Sequence, residues 1–256
     1  MSELLYSKTF GSGRPLIILH GLFGMSDNWQ SLAKEFGQFF ETHVLDLRNH
    51  GKSFHSYNHT YDLMCLDILY YMNHHGFDKV SLIGHSMGGK TAMLFATLYP
   101  NRVNKLVVVD IAPKYYPPHH HAVLAGLQDV DSAQITDRNQ ADEILKSHFA
   151  DQGIRQFLLK SLFWQSKTNL SFRFNLKVLQ EEIDHIGESL KKGALFSGPT
   201  LFLSGANSDY ISQGDEKLIE SHFLDVEIIE IPKVGHWIHA ESPLYFFKQV
   251  SQFLIY

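Results

Sequence analysis

Five residues, Gly84-His85-Ser86-Met87-Gly88, carry the clearest chemistry in the chain. An apolar, β-branched run from Val80 to Ile83 ends at Gly84, and a helical pattern starts just after Ser86, so Ser86 is expected on a sharp strand-to-helix turn. Such a turn brings neighbouring backbone close, which only small flanking residues tolerate, and Gly84 and Gly88 supply them. The turn pushes the hydroxyl clear of the sheet and aims the N–H groups of the helix's first turn at a developing anion. A serine hydroxyl is scarcely ionised at neutral pH and needs a base. His236, in Gly235-His236-Trp237, suits that role: Ser–acid–His is the chain order that goes with this turn, and a loop after the last strand can reach over it. Three other histidines are weaker candidates. His20 follows a central strand and should brace its loop, His85 should point away from Ser86, and His239 is held in reserve one turn beyond His236. The N–H groups of Met87 and Leu22 are the expected oxyanion hole, where losing one donor costs about 10²- to 10³-fold in rate.

These residues need elements to hold them. Pro15-Leu16-Ile17-Ile18-Leu19 is a short continuous apolar run of the kind buried on both faces of a parallel sheet. Helices are expected over 26–36, with Ser26 or Asp27 as cap, and over 61–74; strands are expected over 42–46 and 105–110. Strands separated by helices imply parallel pairing with right-handed crossovers. From Pro113 to about Gly198 the rhythm breaks: no buried β-run occurs, and helical patterns cover 121–127, 139–149, 153–164 and 175–186. The alternation resumes at Pro199-Thr200-Leu201-Phe202-Leu203, and Val226 to Ile231 is the last strand, with Ser242-Pro243 opening a C-terminal helix. This predicts an α/β core of residues 1–112 and 199–256 interrupted by a helical cap insertion of residues 113–198. His20, Asp46, Ser86, Asp110, the 205–209 segment and His236 each follow a predicted strand, so they converge on the carboxyl edge where an open parallel sheet binds ligands.

Composition narrows the class. The chain has 256 residues, 44% of them hydrophobic, and a net charge of −5 without a basic patch, so nucleic acid is not an expected partner. The single cysteine, Cys65, excludes an internal disulfide and fits a buried structural thiol in a reducing compartment. The first residues show no basic segment followed by an apolar one, and no apolar run reaches membrane-spanning length. The expectation is a cytoplasmic protein with no membrane insertion, as a monomer or small homo-oligomer. Sixteen histidines invite a metal reading, but His119-His120-His121 sits in a loop-like stretch without ligand spacing, so neither metal nor cofactor is expected.

The sequence resembles the α/β-hydrolase fold family over nearly its whole length. The resemblance rests on His20-Gly21, the loop with Asp46, Arg48, Gly51 and Ser53, the Gly84 to Gly89 turn, and Gly235-His236. More narrowly, Arg48-Asn49-His50-Gly51, Asp110-Ile111-Ala112-Pro113, Gln156 to Ser161 and Gly235 to Glu241 are similar to the bacterial YbfF-type esterases and their mitochondrial relatives. The resemblance implies hydrolysis of short acyl esters or thioesters, acyl-CoA among them, through an acyl-enzyme on Ser86. Most of the family places its orienting acid at the fourth position of a G-x-x-D turn. Here that turn reads Gly205-Ala206-Asn207-Ser208, so serine stands there and Asp209 comes one residue late. Asp110, at the end of the neighbouring strand, is the favoured acid and Asp209 the alternative. Asp46 and Arg48 are expected to form a loop ion pair. Phe23, Tyr115, Phe163, Trp164 and Trp237 are the candidates for an apolar substrate pocket. The same site could serve a carbon–carbon hydrolase or a perhydrolase, and a non-catalytic ligand-binding protein is the reading from another class.

Overall fold

The computed structural model describes residues 3–118 and 120–256, so His119 of the histidine triplet lies outside the described residues. Seven strands form one sheet: β1 (Ser7–Phe10), β2 (Pro15–Leu19), β3 (Glu41–Leu45), β4 (Val80–His85), β5 (Val103–Val109), β8 (Phe196–Gly205) and β9 (Phe223–Ile231), in the order β1-β3-β2-β4-β5-β8-β9. β1 pairs antiparallel with β3, and every other pairing in this sheet is parallel. The continuous apolar runs are explained by burial on both faces. Ile17 and Leu19 of β2 pack on one side with α2 (Tyr61–His74) and α3 (Met87–Leu98), whereas Leu16 and Ile18 pack on the other with α1 (Gln30–Phe36) and α11 (Pro243–Ile255).

Between β5 and β8 lie α4 (His121–Ser132), α5 (Arg138–Lys146), α6 (Gln152–Leu159), a hairpin of β6 (Leu162–Trp164) and β7 (Leu170–Phe172), α7 (Leu176–Glu181) and α8 (Ile183–Ile186). The helix expected over 153–164 therefore stops at Leu159, and its last residues form a strand. Three-residue strands are too short to show an alternating pattern. β8 begins at Phe196, ahead of the apolar run, because Phe196 pairs with Phe223 before a register shift at Pro199. After β8 come α9 (Asp215–His222) and, beyond β9, α10 (Ile238–Glu241). The expected Ser26 or Asp27 cap is not used: Ser26–Asn28 is a 3₁₀ turn, and α1 starts from Trp29. Among the described residues no helix is long and apolar enough to cross a membrane.

Candidate active site

Ser86 sits between β4 and α3 with φ 53 and ψ −117, a conformation that a residue with a side chain seldom adopts. The glycines around it are steric requirements. A methyl group on Gly84 would fall 2.3 Å from the Gly88 carbonyl oxygen, and one on Gly88 would fall 2.5 Å from the carbonyl oxygens of Leu19 and His20. The strained turn is held from behind, since the Ser86 N–H donates to Val109 O at 3.0 Å. Ser86 opens into a cavity of about 20 Å³ whose walls include Leu22, Met87, Lys90 and Ile111. Among the described hydrogen bonds none occupies the N–H of Leu22 or of Met87, so both donors are available at the cavity where the hydroxyl lies.

The Leu22 loop is fixed by two neutral histidines. His20 accepts the Leu47 N–H at Nε2 (3.0 Å) and donates from Nδ1 to Gly21 O (2.8 Å). His50 accepts the Phe23 N–H at Nε2 (3.1 Å), with Phe23 at φ 62. Burial lowers the pKa of both, that of His50 well below the ordinary value, which preserves their acceptor nitrogens. His20 thus braces its loop as expected from the sequence.

Asp110 is fully buried, at φ 51 just past β5. Its Oδ1 accepts the Gly205 N–H at 3.0 Å, and its Oδ2 accepts both the Ser208 hydroxyl and, at 2.7 Å, His236 Nδ1–H. A carboxylate on Nδ1 fixes the tautomer in which His236 Nε2 carries a free lone pair. Tyr210 stacks on the His236 ring at 4.0 Å and 20°, and the tilted His85 ring lies 4.6 Å away. His85 donates from Nε2 to His236 O at 2.9 Å. Burial holds His85 well below its ordinary pKa, with His236 adding to the effect. His239 stacks flat on Trp29 at 4.0 Å, and burial takes its pKa down to about 3, so it is a core residue rather than a reserve base.

Sequence reasoning missed Ser208. The signal was the serine at the family's acid position; what could not be read was that its hydroxyl reaches the carboxylate on the neighbouring strand. Asp209 is exposed and makes none of these contacts. The expected Asp46–Arg48 pair does not form. Arg48 makes a two-pronged ion pair with Asp67 of α2 (2.6 and 2.8 Å), while Asp46 accepts the N–H groups of Ser26 and Lys52. These two residues are close in sequence, but each finds its partner on a different element.

His236 and Trp237 line a second, wider cavity of about 960 Å³, which reaches Phe157 and Lys160 of the α6 region. Tyr116 and Tyr210, with ring centroids 5.5 Å apart, line both cavities. Of the expected pocket aromatics, only Trp237 is on these walls. Phe23 is buried against Phe174, Tyr115 and Trp164 are exposed, and Phe163 lies under the Arg173 guanidinium. It is the next residue, Tyr116, that faces the site. Among the described residues no group of histidine, cysteine and carboxylate side chains could hold a metal ion.

The chain is similar to several known proteins. Residues 14–243 match the model of the alpha/beta hydrolase fold family. Esterase YbfF of Escherichia coli is 34% identical over 94% of this chain and 92% of its own. The sn-1-specific diacylglycerol lipase ABHD11 of Danio rerio is 40% identical over 95% of this chain and 79% of its own. A marine microorganism esterase of known structure superposes with a TM-score of 0.95 at 35% identity, covering 98% of this chain and all of that one.

Proposed function

The chain belongs to the alpha/beta hydrolase fold family and is a carboxylic ester hydrolase, and from that premise we propose that it works through an acyl-enzyme on Ser86, with His236 as base and Asp110 as orienting acid. The observation that carries the reading is the buried Asp110 carboxylate on His236 Nδ1–H at 2.7 Å, one strand from the elbow serine. His236 Nε2 takes the Ser86 proton as Oγ attacks the acyl carbon, and returns it to the leaving oxygen or sulfur as that bond breaks. The Leu22 and Met87 N–H groups receive the negative charge of the tetrahedral intermediate. Water then attacks the acyl-enzyme by the same route, releasing the acid.

The substrate is a small-molecule acyl ester or thioester, and acyl-CoA falls within the class because a thiolate leaves at least as readily as an alkoxide. Residues 113–198 act as a cap over the core of 1–112 and 199–256, since both cavities have walls from each part. A cytoplasmic location belongs to the same reading, supported by a lone buried thiol that has no disulfide partner. Labelling with a fluorophosphonate probe, followed by p-nitrophenyl butyrate turnover, tests the assignment. The wild type should be labelled and active, and Ser86→Ala should lose both; labelling that survives in Ser86→Ala would overturn it.

A further inference from the structure

Ser86 and His236 look into cavities of very different size and character, and the chemistry decides which half of a substrate enters each. The oxyanion donors and the nucleophile hold the acyl carbon, so the acyl chain extends into the cavity beside Ser86, Leu22 and Met87. The base returns its proton to the leaving group, so the alcohol or thiol half lies on the side lined by His236. The first cavity is about 20 Å³ and lined by Ile111, Ile183, Ile186, Pro117 and Pro118 among others. The second is about 960 Å³, with Phe157 and Trp237 at 5.7 Å forming an aromatic shelf.

Charge restricts the second cavity further. Its walls carry three carboxylates, Asp151, Asp209 and Glu241, against one ammonium, Lys160. Lys160 Nζ donates to the Asp27 carbonyl at 3.1 Å, and Asp151 and Glu241 accept the backbone N–H groups of Ile154, Gly235 and Trp237. A leaving group with several phosphates would enter a cleft whose walls carry three carboxylates against a single ammonium.

We propose that the enzyme is specific for esters joining a short acyl group to a bulky, uncharged, preferably aromatic alcohol, and that it discriminates against polyanionic leaving groups such as coenzyme A. This rests on the Ser86–His236 assignment. It narrows the substrate class by assigning the wide cleft to the leaving group.

Two pairs of substrates and one acyl series test it. Butyryl-pantetheine and butyryl-CoA present the same thioester on the same arm and differ in the phosphates and nucleotide. The neutral compound should have a kcat/KM about tenfold higher or more, the gap shrinking in high salt and in Asp209→Lys. Benzyl butyrate should exceed ethyl butyrate by about tenfold. In a p-nitrophenyl series from acetate to dodecanoate, activity should be highest for the shortest acyl groups and fall with chain length, and Ile186→Ala should shift the preference to longer chains. Fluorophosphonate labelling of Ser86 in the same preparations separates the two levels of failure. Absent labelling overturns the nucleophile assignment and this inference with it. Intact labelling with equal or better use of butyryl-CoA, or with dodecanoate preferred, overturns the inference alone.

Discussion

The rim of the sheet and the segment between β5 and β8 are built on different principles. Of the six non-glycine residues with positive φ among the described residues, four lie on the rim: Phe23, Asn49, Ser86 and Asp110. Each is held by buried hydrogen bonds to other strands or loops, and such over-determination is what lets strained backbone persist. The inserted segment has short helices and exposed polar faces. Its bonds to the core include Tyr61 Oη to Ile186 O (2.7 Å), Asn175 N–H to Asn49 O (2.9 Å), Lys114 Nζ to Asp215 Oδ2 (2.5 Å) and Lys160 Nζ to Asp27 O (3.1 Å), and its two stems bond to each other through Tyr116 N–H to Gly187 O (2.8 Å) and Leu190 N–H to Pro113 O (3.0 Å). The proposed reactive groups therefore sit where geometry is imposed from several sides, and the insertion adds walls to two cavities whose remaining walls belong to the core.

The largest effect should come from the rim itself. Asp110→Asn leaves the shape but loses the acceptor that sets the His236 tautomer, and kcat should fall about 10⁴-fold. Ser208→Ala removes one donor to the same oxygen. A hydrogen bond to a charged group is worth about 1.5–3 kcal/mol, so kcat should fall about 10- to 150-fold. Asp209→Asn should stay within a few-fold on p-nitrophenyl butyrate. Steady-state kinetics on the three variants check the order, and a reversal between positions 110 and 209 would move the acid to the exposed residue.

What was legible in the sequence follows the same division. The placement of Ser86, His236 and Asp110 at one edge could be read because each follows an apolar strand, and strand ends in a parallel sheet share one edge. The start of α2 agrees with its sequence because the Thr60 side chain caps it by accepting the Leu63 N–H. The pocket aromatics were not legible, because helical periodicity says that a side chain is covered without saying by what. Trp164 fell on a hairpin facing solvent, while Tyr116, beside the named Tyr115, supplied the wall. The partner of Arg48 was hidden for a related reason: Asp67 lies 19 positions away on a helix, and only the fold brings it within 2.6 Å.

Acid should also tell the two regions apart. His20, His50, His59, His85 and His239 are rim or core residues whose pKa is lowered chiefly by burial, those of His59 and His239 to about 3. A group lowered in the fold adds nothing against stability above the unfolded value of 6.5 and costs stability as pH falls from there toward the folded value. For His239 alone the cost at pH 5 is about 2 kcal/mol. His239→Phe keeps the stack on Trp29 and removes the titration, so urea melts at pH 7 and pH 5 should show it losing about 2 kcal/mol less than the wild type. Equal acid losses would mean that this ring reaches water. In the insertion, His185 behaves oppositely: its hydrogen bond to Glu188 raises its pKa, and it should not contribute to acid unfolding.

The smallest effect should arise where the two regions are joined. Lys90, one turn into α3, is buried and donates from Nζ to the carbonyls of Lys114 and Glu188, the first at one stem of the insertion and the second at the other. Its ammonium also lies 4.8 Å from the centroid of the Tyr116 ring, which lines both cavities. Burial lowers the pKa of this amine to about 7, with Lys114 adding to the shift. Its stability contribution is therefore full above the unfolded value of about 10.5 and is lost as pH falls toward 7. Lys90→Met fills the same space without donors or charge. Between pH 7 and pH 9 the wild type should gain about 1 kcal/mol over the variant in urea melts, allowing for partial access of water. Limited proteolysis of the variant should cut within 113–198 while Ser86 labelling persists, because losing the clasp frees the stems and leaves the elbow's own backbone bonds intact. If labelling disappears together with protection of the insertion, the cap and the rim are one mechanical unit, and the division drawn between them fails.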